Sequence, residues 1–354
     1  MARRTVRGKG PMLAKLEPVL PEGPGWIYEP KWDGFRCLVT VRGGAVQLIS
    51  RDDRPMVRFF PEVVAMLEQL AIGSIVADGE LVIVHDGRFW FEDLQLRLHP
   101  AESRVRKLSG EIPATLILFD LLEIDGEDLR EQPLAERRQR LEKLAAEVGA
   151  ERVPEATGDL EPGPEVRLTP WTDDVAVAKR WFGDEHWLGE DGIVAKRIDE
   201  PYKPGVRAWV KVKHRSTADC VVAGYRVSKD GEGVGSLLLG LYDDEGRLHY
   251  VGHTSSFKAA ERRALREQLA PLEGGAGFGG EMARSPGGPS RWSGGRELDW
   301  VSLDPVLVCE VTYERVQSGR FRHAATFVRW REDRQPRSCT FEQVGAAPPS
   351  WPGA

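Results

Sequence analysis

The chain has 354 residues, a net charge of −6 and a hydrophobic share of 41%, which is enough apolar material for two ordinary domain cores. It contains no run of about 18 apolar residues, which excludes a membrane-spanning helix. The basic N-terminus MARRTVRGKG has no apolar stretch behind it, so a secretory signal is not expected either. Four widely spaced cysteines (Cys37, Cys220, Cys309 and Cys339) and seven histidines without HExxH spacing argue against a disulfide framework or a zinc site. The expected setting is the cytoplasm.

The first part of the chain is rich in strand patterns. FRCLVTVR and AVQLISR flank a Gly43-Gly44 turn and predict a hairpin. FFPEVVAMLEQL has apolar spacing of three and four, predicting a helix from Pro61 to Leu70. SIVADGELVIVHDGRFWF repeats the hairpin pattern with Asp86-Gly87 as its turn, and FEDLQLRL follows as an architectural segment in which Arg97 is the one candidate for another role. TLILFDLLEIDGEDL predicts a buried strand entering a turn, and LAERRQRLEKLAAEV an amphipathic helix with its charges on one face. VAVAKRWFGDEHW predicts another helix, and GIVAKR and AWVKVK predict short strands.

After Lys213 the pattern changes to five strand-like runs: ADCVVAGYRVS, GSLLLGLYD, RLHYVGHTS, LVCEVTYERV and TFVRWRE. One helix, from Lys258 to Leu269, separates the third run from the fourth. This arrangement predicts a small Greek-key barrel of OB type. The stretch from Leu272 to Gly295 is long for a compact domain and predicts a mobile surface segment. The expected domains are residues 1–214 and 215–345, with a disordered tail at 346–354.

Charge is unevenly spread. Lys196 to Arg215 holds seven basic residues against two acidic ones, and Arg315 to Arg337 does the same. Two such zones can follow a phosphate backbone, or can be ordinary solvated surface.

The stretch EPKWDGFR places Lys31 in a short polar turn between two apolar runs, followed by Asp33, Gly34 and Arg36 in the pattern KxDGxR. A lysine on a turn is most often only a solvated cation. It can act as a nucleophile as the neutral amine, which nearby cations and burial favour. Lys211 and Lys213 alternate on a strand, so both face one way, and Lys196 lies in the strand pattern before them. The expectation is that these ammonium groups depress the pKa of Lys31 and neutralise an attacked phosphate.

With these motifs the chain resembles the covalent nucleotidyltransferases, and among them the ATP-dependent DNA ligases of bacterial ligase C and ligase D type. The resemblance runs from PMLAKL to about Arg337 through EPKWDGFR, SRDDR, DGELV, FDLL, EDGIVAK, WVKVK and RFRHAATFVRWREDR. It implies an α+β fold: an ATP-grasp-like nucleotidyltransferase domain of antiparallel sheets and helices, then an OB-fold barrel. It implies that Lys31 forms a lysyl-AMP bond and that Glu29 lies where adenine is read. Arg36 and Arg51 would contact the ribose or the DNA phosphate at a nick. Glu80 would hold a ribose hydroxyl or a metal, and Phe119 would stack on adenine. Lys211 and Lys213 would hold the α-phosphate, with Lys196 close by. Arg331, within Arg329 to Arg334, would orient the leaving pyrophosphate, and Arg320 and Arg322 would contact DNA.

ATP and Mg²⁺ or Mn²⁺ are the implied cofactors, and duplex DNA with nicks or breaks is the implied partner. The ligase is expected to be a monomer without membrane contact, with repair polymerases or end-binding proteins as separate chains. Two positions depart from the family pattern. Asp191 stands where glutamate is usual, leaving the metal to Asp191 or Glu190, and Arg334 stands where lysine is usual. RNA ligase or capping guanylyltransferase activity is the rival enzymatic reading, and a non-catalytic DNA-binding relic is the other.

Overall fold

A computed structural model describes residues 10–348 except 71, 86, 155–159, 184–190, 280–285 and 287–298. The chain divides into two compact units, Met1–His214 and Arg215–Ala354.

In the first unit two sheets face each other. The smaller contains β1 (Leu13–Leu16), β2 (Trp26–Pro30), β11 (Ile193–Arg197) and β12 (Arg207–Val212), in the order β1-β12-β11-β2. The larger is built on β3 (Phe35–Arg42), β4 (Ala45–Ser50), β5 (Ile75–Val82), β8 (Thr115–Ile124) and β10 (Val166–Leu168), in the order β10-β8-β5-β3-β4. The short β9 (Glu127–Asp128) pairs with β8, while β6 (Val84–His85) and β7 (Arg88–Phe89) form a separate small hairpin. Between β3 and β4, Gly43 and Gly44 both take positive φ (56° and 80°), as a tight hairpin turn requires.

Most of the helices pack on the larger sheet's outer side, while the helix Val175–Gly183 packs against β2 and β11 of the smaller sheet. Helix α1 (Pro61–Gln69) starts on proline and buries Val63 and Leu67, one turn apart. Helices α2 (Phe91–Leu96), α3 (Glu102–Glu111), α4 (Leu134–Glu147) and α5 (Val175–Gly183) complete the unit. Strand β8 is buried from Thr115 to Leu122 because Leu116, Leu118 and Leu121 pack under the helices while Phe119 and Leu122 pack beneath the smaller sheet. One expectation fails in α4. Arg137 and Arg138 lie within its buried face with Leu134, Leu141 and Leu144, and not on a charged outer face. Arg137 survives there because Asp120 accepts from its Nε and Nη2 at 2.8 and 2.9 Å.

The second unit is a five-stranded antiparallel sheet, β15-β14-β13-β16-β19, built from β13 (Ser216–Val227), β14 (Val234–Tyr242), β15 (Leu248–Thr254), β16 (Val301–Tyr313) and β19 (Thr326–Trp330). Helix α6 (Ala259–Leu269) follows β15, and β17 (Val316–Gln317) and β18 (Arg320–Phe321) form a small hairpin. The expected barrel is not closed by a ladder. The edge strands β15 and β19 approach through one described bridge, Thr254 to Ala325, and a bond from the Ala325 N–H to the His253 carbonyl at 2.9 Å.

The expectation of a mobile surface segment from Leu272 is also corrected over residues 272–279. Phe278 is buried against Tyr250 and Trp300, and the N–H groups of Gly277 and Gly279 donate to Leu303 and Leu248. Most of the remainder of that segment, and the last six residues of the tail, lie outside the described residues. Cys220 and Cys309, far apart in sequence, stand opposite each other on β13 and β16, and all four cysteines are buried.

Arg97, the candidate exception in its segment, is an internal tie. Its guanidinium is fully buried and donates to both carboxylate oxygens of Glu62 (2.7 and 2.8 Å) and to the carbonyls of Phe59 and Ile112. Replacing Arg97 with alanine would leave Glu62 as a largely buried carboxylate without its cation. We expect Arg97→Ala to cost about 3–5 kcal/mol in denaturant unfolding. A loss below about 1 kcal/mol would show that the pair behaves as a surface ion pair.

Candidate active site

Lys31 lies in the connection between β2 and β3, and two glycines decide where that connection sits. A Cβ on Gly34 would come within 2.3 Å of the Leu81 carbonyl oxygen and 2.7 Å of Glu80 Cγ, so only glycine lets the loop lie against β5 at Glu80. Gly192 has φ +124°, and a Cβ there would lie 2.0 Å from the Val212 oxygen and 2.9 Å from Lys213 Cα. The Gly192 carbonyl accepts the Lys31 N–H at 2.9 Å. Lys31 is thereby fixed between Glu80 on one side and, on the other, the Asp191–Gly192 turn that leads into β11 beside the end of β12.

The Lys31 ammonium forms an ion pair with Asp191. Burial works against the ammonium, but Asp191, by charge and hydrogen bond, followed by Glu80 and Asp33, outweighs it, so the Lys31 pKa lies above the ordinary lysine value. This reverses the expectation that neighbouring ammonium groups hold it down. Burial pushes the Glu80 carboxyl up to about 8, with Asp78 and Asp33 adding to the rise against the opposing charges of Lys31 and Arg36. Glu80 is therefore mostly protonated at neutral pH, which suits a hydroxyl partner more than a cation.

A second set of charges lies between the sheets. Arg36, paired with Glu80 across β3 and β5, donates from Nε and Nη2 to Asp78 at 3.0 and 2.6 Å. Tyr202 donates to the same carboxylate at 2.6 Å and accepts the Met12 N–H at 3.0 Å. The Arg36 guanidinium lies 5.5 Å from the Phe119 ring centre and 4.9 Å from that of Trp209. The Lys196 ammonium lies 4.5 and 4.4 Å from the same two rings. Two cations and two aromatic faces thus form one cage.

Lys196 is fully buried and ion-paired with Glu29 at 2.5 Å, and burial holds its pKa down against the charges of Glu29 and Asp120. The other oxygen of Glu29 accepts from Arg138, which also donates to the Thr169 carbonyl at 2.6 Å. The Glu29 carboxylate is thus occupied by two buried cations. Phe119 is buried, its ring flanked by Lys196, Arg36 and the edge of Trp209.

Lys211 and Lys213 alternate around the buried Val212, both partly buried, and Gly192 sets Lys213 beside Lys31's loop. Arg51 is not drawn into this group. It is 64% exposed, with Asp52 at 3.3 Å. Glu190, the alternative to Asp191, lies outside the described residues. Trp209, Asp78, Tyr202 and Arg138 were not singled out from sequence. Trp209 stands in the WVKVK motif itself, and Arg138 is signalled by its i,i+3 and i,i+4 spacing to Leu134 and Leu141.

The basic zones are also less free than a count along the chain implies. Lys196 is buried on Glu29, Arg197 is held by Asp199 at 3.0 Å, and Lys203 lies 3.2 Å from Glu200. In the second unit Arg329 donates to Glu310 at 2.7 Å, and Arg331 and Arg334 share Asp219 at 3.0 Å each. Arg320 lies 4.8 Å from the Tyr250 ring, and Arg322 is partly buried, with its N–H donated to the Arg315 carbonyl.

Whether these residues suit a divalent cation turns on their oxygens. Among the described residues no preassembled group of three or more acidic, histidine or cysteine side chains exists. Mg²⁺, however, is commonly held by one or two carboxylates plus nucleotide phosphates, and Asp191 beside Lys31 offers one such carboxylate, while the raised pKa of Glu80 makes it the poorer of the two metal candidates. The donor set fits a metal carried with the triphosphate. The arrangement as a whole offers one amine nucleophile, hard oxygens for a cation and lysines for phosphate.

Comparison with known proteins agrees with this chemistry. Residues 11–213 match the ATP dependent DNA ligase domain, and residues 230–334 match the ATP dependent DNA ligase C terminal region. The chain is 46% identical to DNA ligase C2 of Mycolicibacterium smegmatis, covering 96% of this chain and 95% of that one. It is 44% identical to DNA ligase C of Mycobacterium tuberculosis, covering 94% and 93%. A solved Lig E DNA ligase shares the fold at 17% identity with a TM-score of 0.55, covering 90% of this chain and 99% of that one. Matched in both parts and in order, the chain belongs to the ATP-dependent DNA ligases, which sets aside the capping-enzyme and non-catalytic alternatives.

Proposed function

We propose that this ligase seals 5′-phosphate/3′-hydroxyl nicks or breaks in duplex DNA through a lysyl-AMP intermediate on Lys31, in DNA repair. The observation that supports it most is the placement of Lys31 by Gly34 and Gly192 between Glu80, Asp191 and the end of the β12 strand. In the first step the neutral Lys31 amine attacks the α-phosphorus of ATP. The N–P bond forms, the amine loses its proton and the bond to pyrophosphate breaks. In the second step an oxygen of the DNA 5′-phosphate attacks the AMP phosphorus and frees Lys31. In the third the 3′-hydroxyl attacks the adenylated 5′-phosphate, and AMP leaves with the bonding electrons.

Lys211 and Lys213 hold the α-phosphate, and Glu80, neutral at rest, meets a ribose hydroxyl. Phe119 gives a face to adenine, in a cage that Lys196 and Arg36 already border, while Glu29 and Arg138 shape its far side. Asp191 would hold the Mg²⁺ or Mn²⁺ that travels with ATP, which when bound would add positive charge to the triphosphate. Arg331 neutralises the departing pyrophosphate. Arg36 is placed for the ribose or the nick phosphate, and the exposed Arg51, with Arg320 and Arg322, for DNA phosphates. We further propose that the protein acts as a monomer in the cytoplasm, with polymerase or end-binding activities on other chains.

Lys31→Ala should reduce the covalent adduct formed with labelled ATP to background, since no second amine occupies that turn; a wild-type level of adduct would assign the nucleophile elsewhere. The raised Lys31 pKa makes a second test. Below its pKa the neutral fraction rises about tenfold per pH unit, so labelling of Lys31 by an amine-selective reagent should climb steadily from pH 7 to about 10. Asp191→Asn removes the strongest group favouring the ammonium. Metal-free labelling at pH 8, read by peptide mass spectrometry, should then accelerate about tenfold or more. Labelling no faster than wild type would show that Asp191 does not govern the amine.

A further inference from the structure

The Arg331 guanidinium is gripped at both ends, and the two grips differ. Its Nε and Nη2 donate to Asp333 at 2.8 and 2.7 Å, a carboxylate 66% exposed and only two residues away. Its Nη1 meets both oxygens of Asp219 at 3.0 and 3.2 Å and lies 3.7 Å from Glu310, and Asp219 is 12% exposed. Asp219 and Glu310 are direct partners across β13 and β16.

Both backbone groups of Asp219 bond away from β16. Its N–H donates to Gln343 Oε1 at 2.8 Å, and its carbonyl accepts from Gln343 Nε2 at 2.9 Å. Asp219 and Glu310 therefore face each other as a pair that does not exchange backbone bonds, the arrangement that brings side chains closest in an antiparallel ladder. Two like charges so placed repel; Arg331 lies between them, with Arg334 also on Asp219 at 3.0 Å and Arg329 on Glu310 at 2.7 Å.

The Gln343 amide stands where the ladder to β14 has not yet begun, since pairing with β14 starts at Val221. The C-terminal segment carrying it is itself anchored. The Tyr242 N–H donates to the Cys339 carbonyl at 2.8 Å, Phe341 is buried, and Gln343 Nε2 also donates to the Thr340 carbonyl at 3.1 Å.

We propose that Asp219 and Gln343 are positioning residues for Arg331. Gln343 fixes the backbone of Asp219. The Asp219 carboxylate then holds Nη1, so that the Nε–Nη2 edge, held at rest by the exposed Asp333, is the one that meets phosphate oxygens when they displace that carboxylate. The inference rests on the reading that Arg331 serves pyrophosphate departure. Neither residue touches substrate. Each acts through the orientation of one guanidinium, and a displacement of about an ångström at a charge-stabilising group is enough to cost a large factor in rate.

The test is single-turnover kinetics on two reactions of the full chain: adenylation of Lys31 by ATP, and sealing of a nick that already carries the 5′-adenylate. Asp219→Asn and Gln343→Ala should slow adenylation by about tenfold to a hundredfold. Sealing of the pre-adenylated nick should stay within about twofold of wild type. Asp219→Glu should recover part of the loss, and Asp219→Asn combined with Arg331→Ala should be no slower than Arg331→Ala alone. If Arg331→Ala adenylates slowly while Asp219→Asn and Gln343→Ala adenylate normally, the positioning role is wrong and the reading of Arg331 stands. Normal adenylation by Arg331→Ala would instead overturn that reading and the inference with it. Equal loss on both reactions would assign Asp219 and Gln343 to folding alone. Should Asp219→Asn fail to fold, Gln343→Ala carries the same comparison.

Discussion

A cleft that binds a triphosphate must keep cations out of water, and an isolated buried cation costs several kcal/mol. The first unit meets this constraint by giving its cations internal carboxylates. Arg36 rests on Asp78, Lys196 and Arg138 share Glu29, Arg137 rests on Asp120, and Lys31 rests on Asp191. In the second unit Arg331, 17% exposed, is set on Asp219 in the same way, while Arg329 on Glu310 and Arg334 on Asp219 are more exposed pairs. Each pairing spares the fold an unpaired charge before any nucleotide arrives. Under the proposed function, binding would be an exchange in which a phosphate or metal takes the place of a partner already present.

The exchange also separates cations that can react from cations that only support. Lys196 is fully buried between Phe119 and Trp209, and moving it would leave the buried Glu29 carboxylate with Arg138 as its one remaining cation of the two. Lys31 is only partly buried, and its partner Asp191 sits on a turn and not within a strand. A carboxylate on a turn is bound by fewer backbone constraints than one within a strand, so its pairing with a lysine is the easier one to exchange. The pairing of a lysine with a strand carboxylate beneath two rings is the harder. The same contrast separates the Asp333 edge of Arg331 from its Asp219 edge.

Much of the local structure was legible in the sequence. The Gly43-Gly44 turn, the periodicity of α1 and the strand runs of both units carry their signals within a few residues. What escaped was the pairing of distant charges. Lys31 and Asp191 are 160 residues apart, Arg138 and Glu29 are 109 apart, and Arg331 and Asp219 are 112 apart. A count of basic residues within a window cannot see carboxylates delivered from another strand, so the zones around Lys196 and Arg331 read as surface charge when several of their members are internally matched. Arg137 and Arg138 were misplaced for the same reason. Charge suggested solvent, whereas their spacing to Leu134 and Leu141 already placed them on the buried face. The number and order of the OB-type unit's five main strands were likewise visible, but β16 begins at Val301, six residues before the run read from Leu307, and the closure of the sheet depends on edge contacts that no strand pattern records.

The shorter acid at position 191 fits this picture. A glutamate reaches about one methylene farther than an aspartate, and the family usually places glutamate there. In this chain the adjoining glycine brings the lysine loop close, since the Gly192 carbonyl takes the Lys31 N–H and leaves no room for a Cβ against β12. With the two backbones tied, an aspartate reaches the ammonium of Lys31 directly. The glycine sets the distance between the two backbones, and at that distance the aspartate carboxylate pairs with the ammonium.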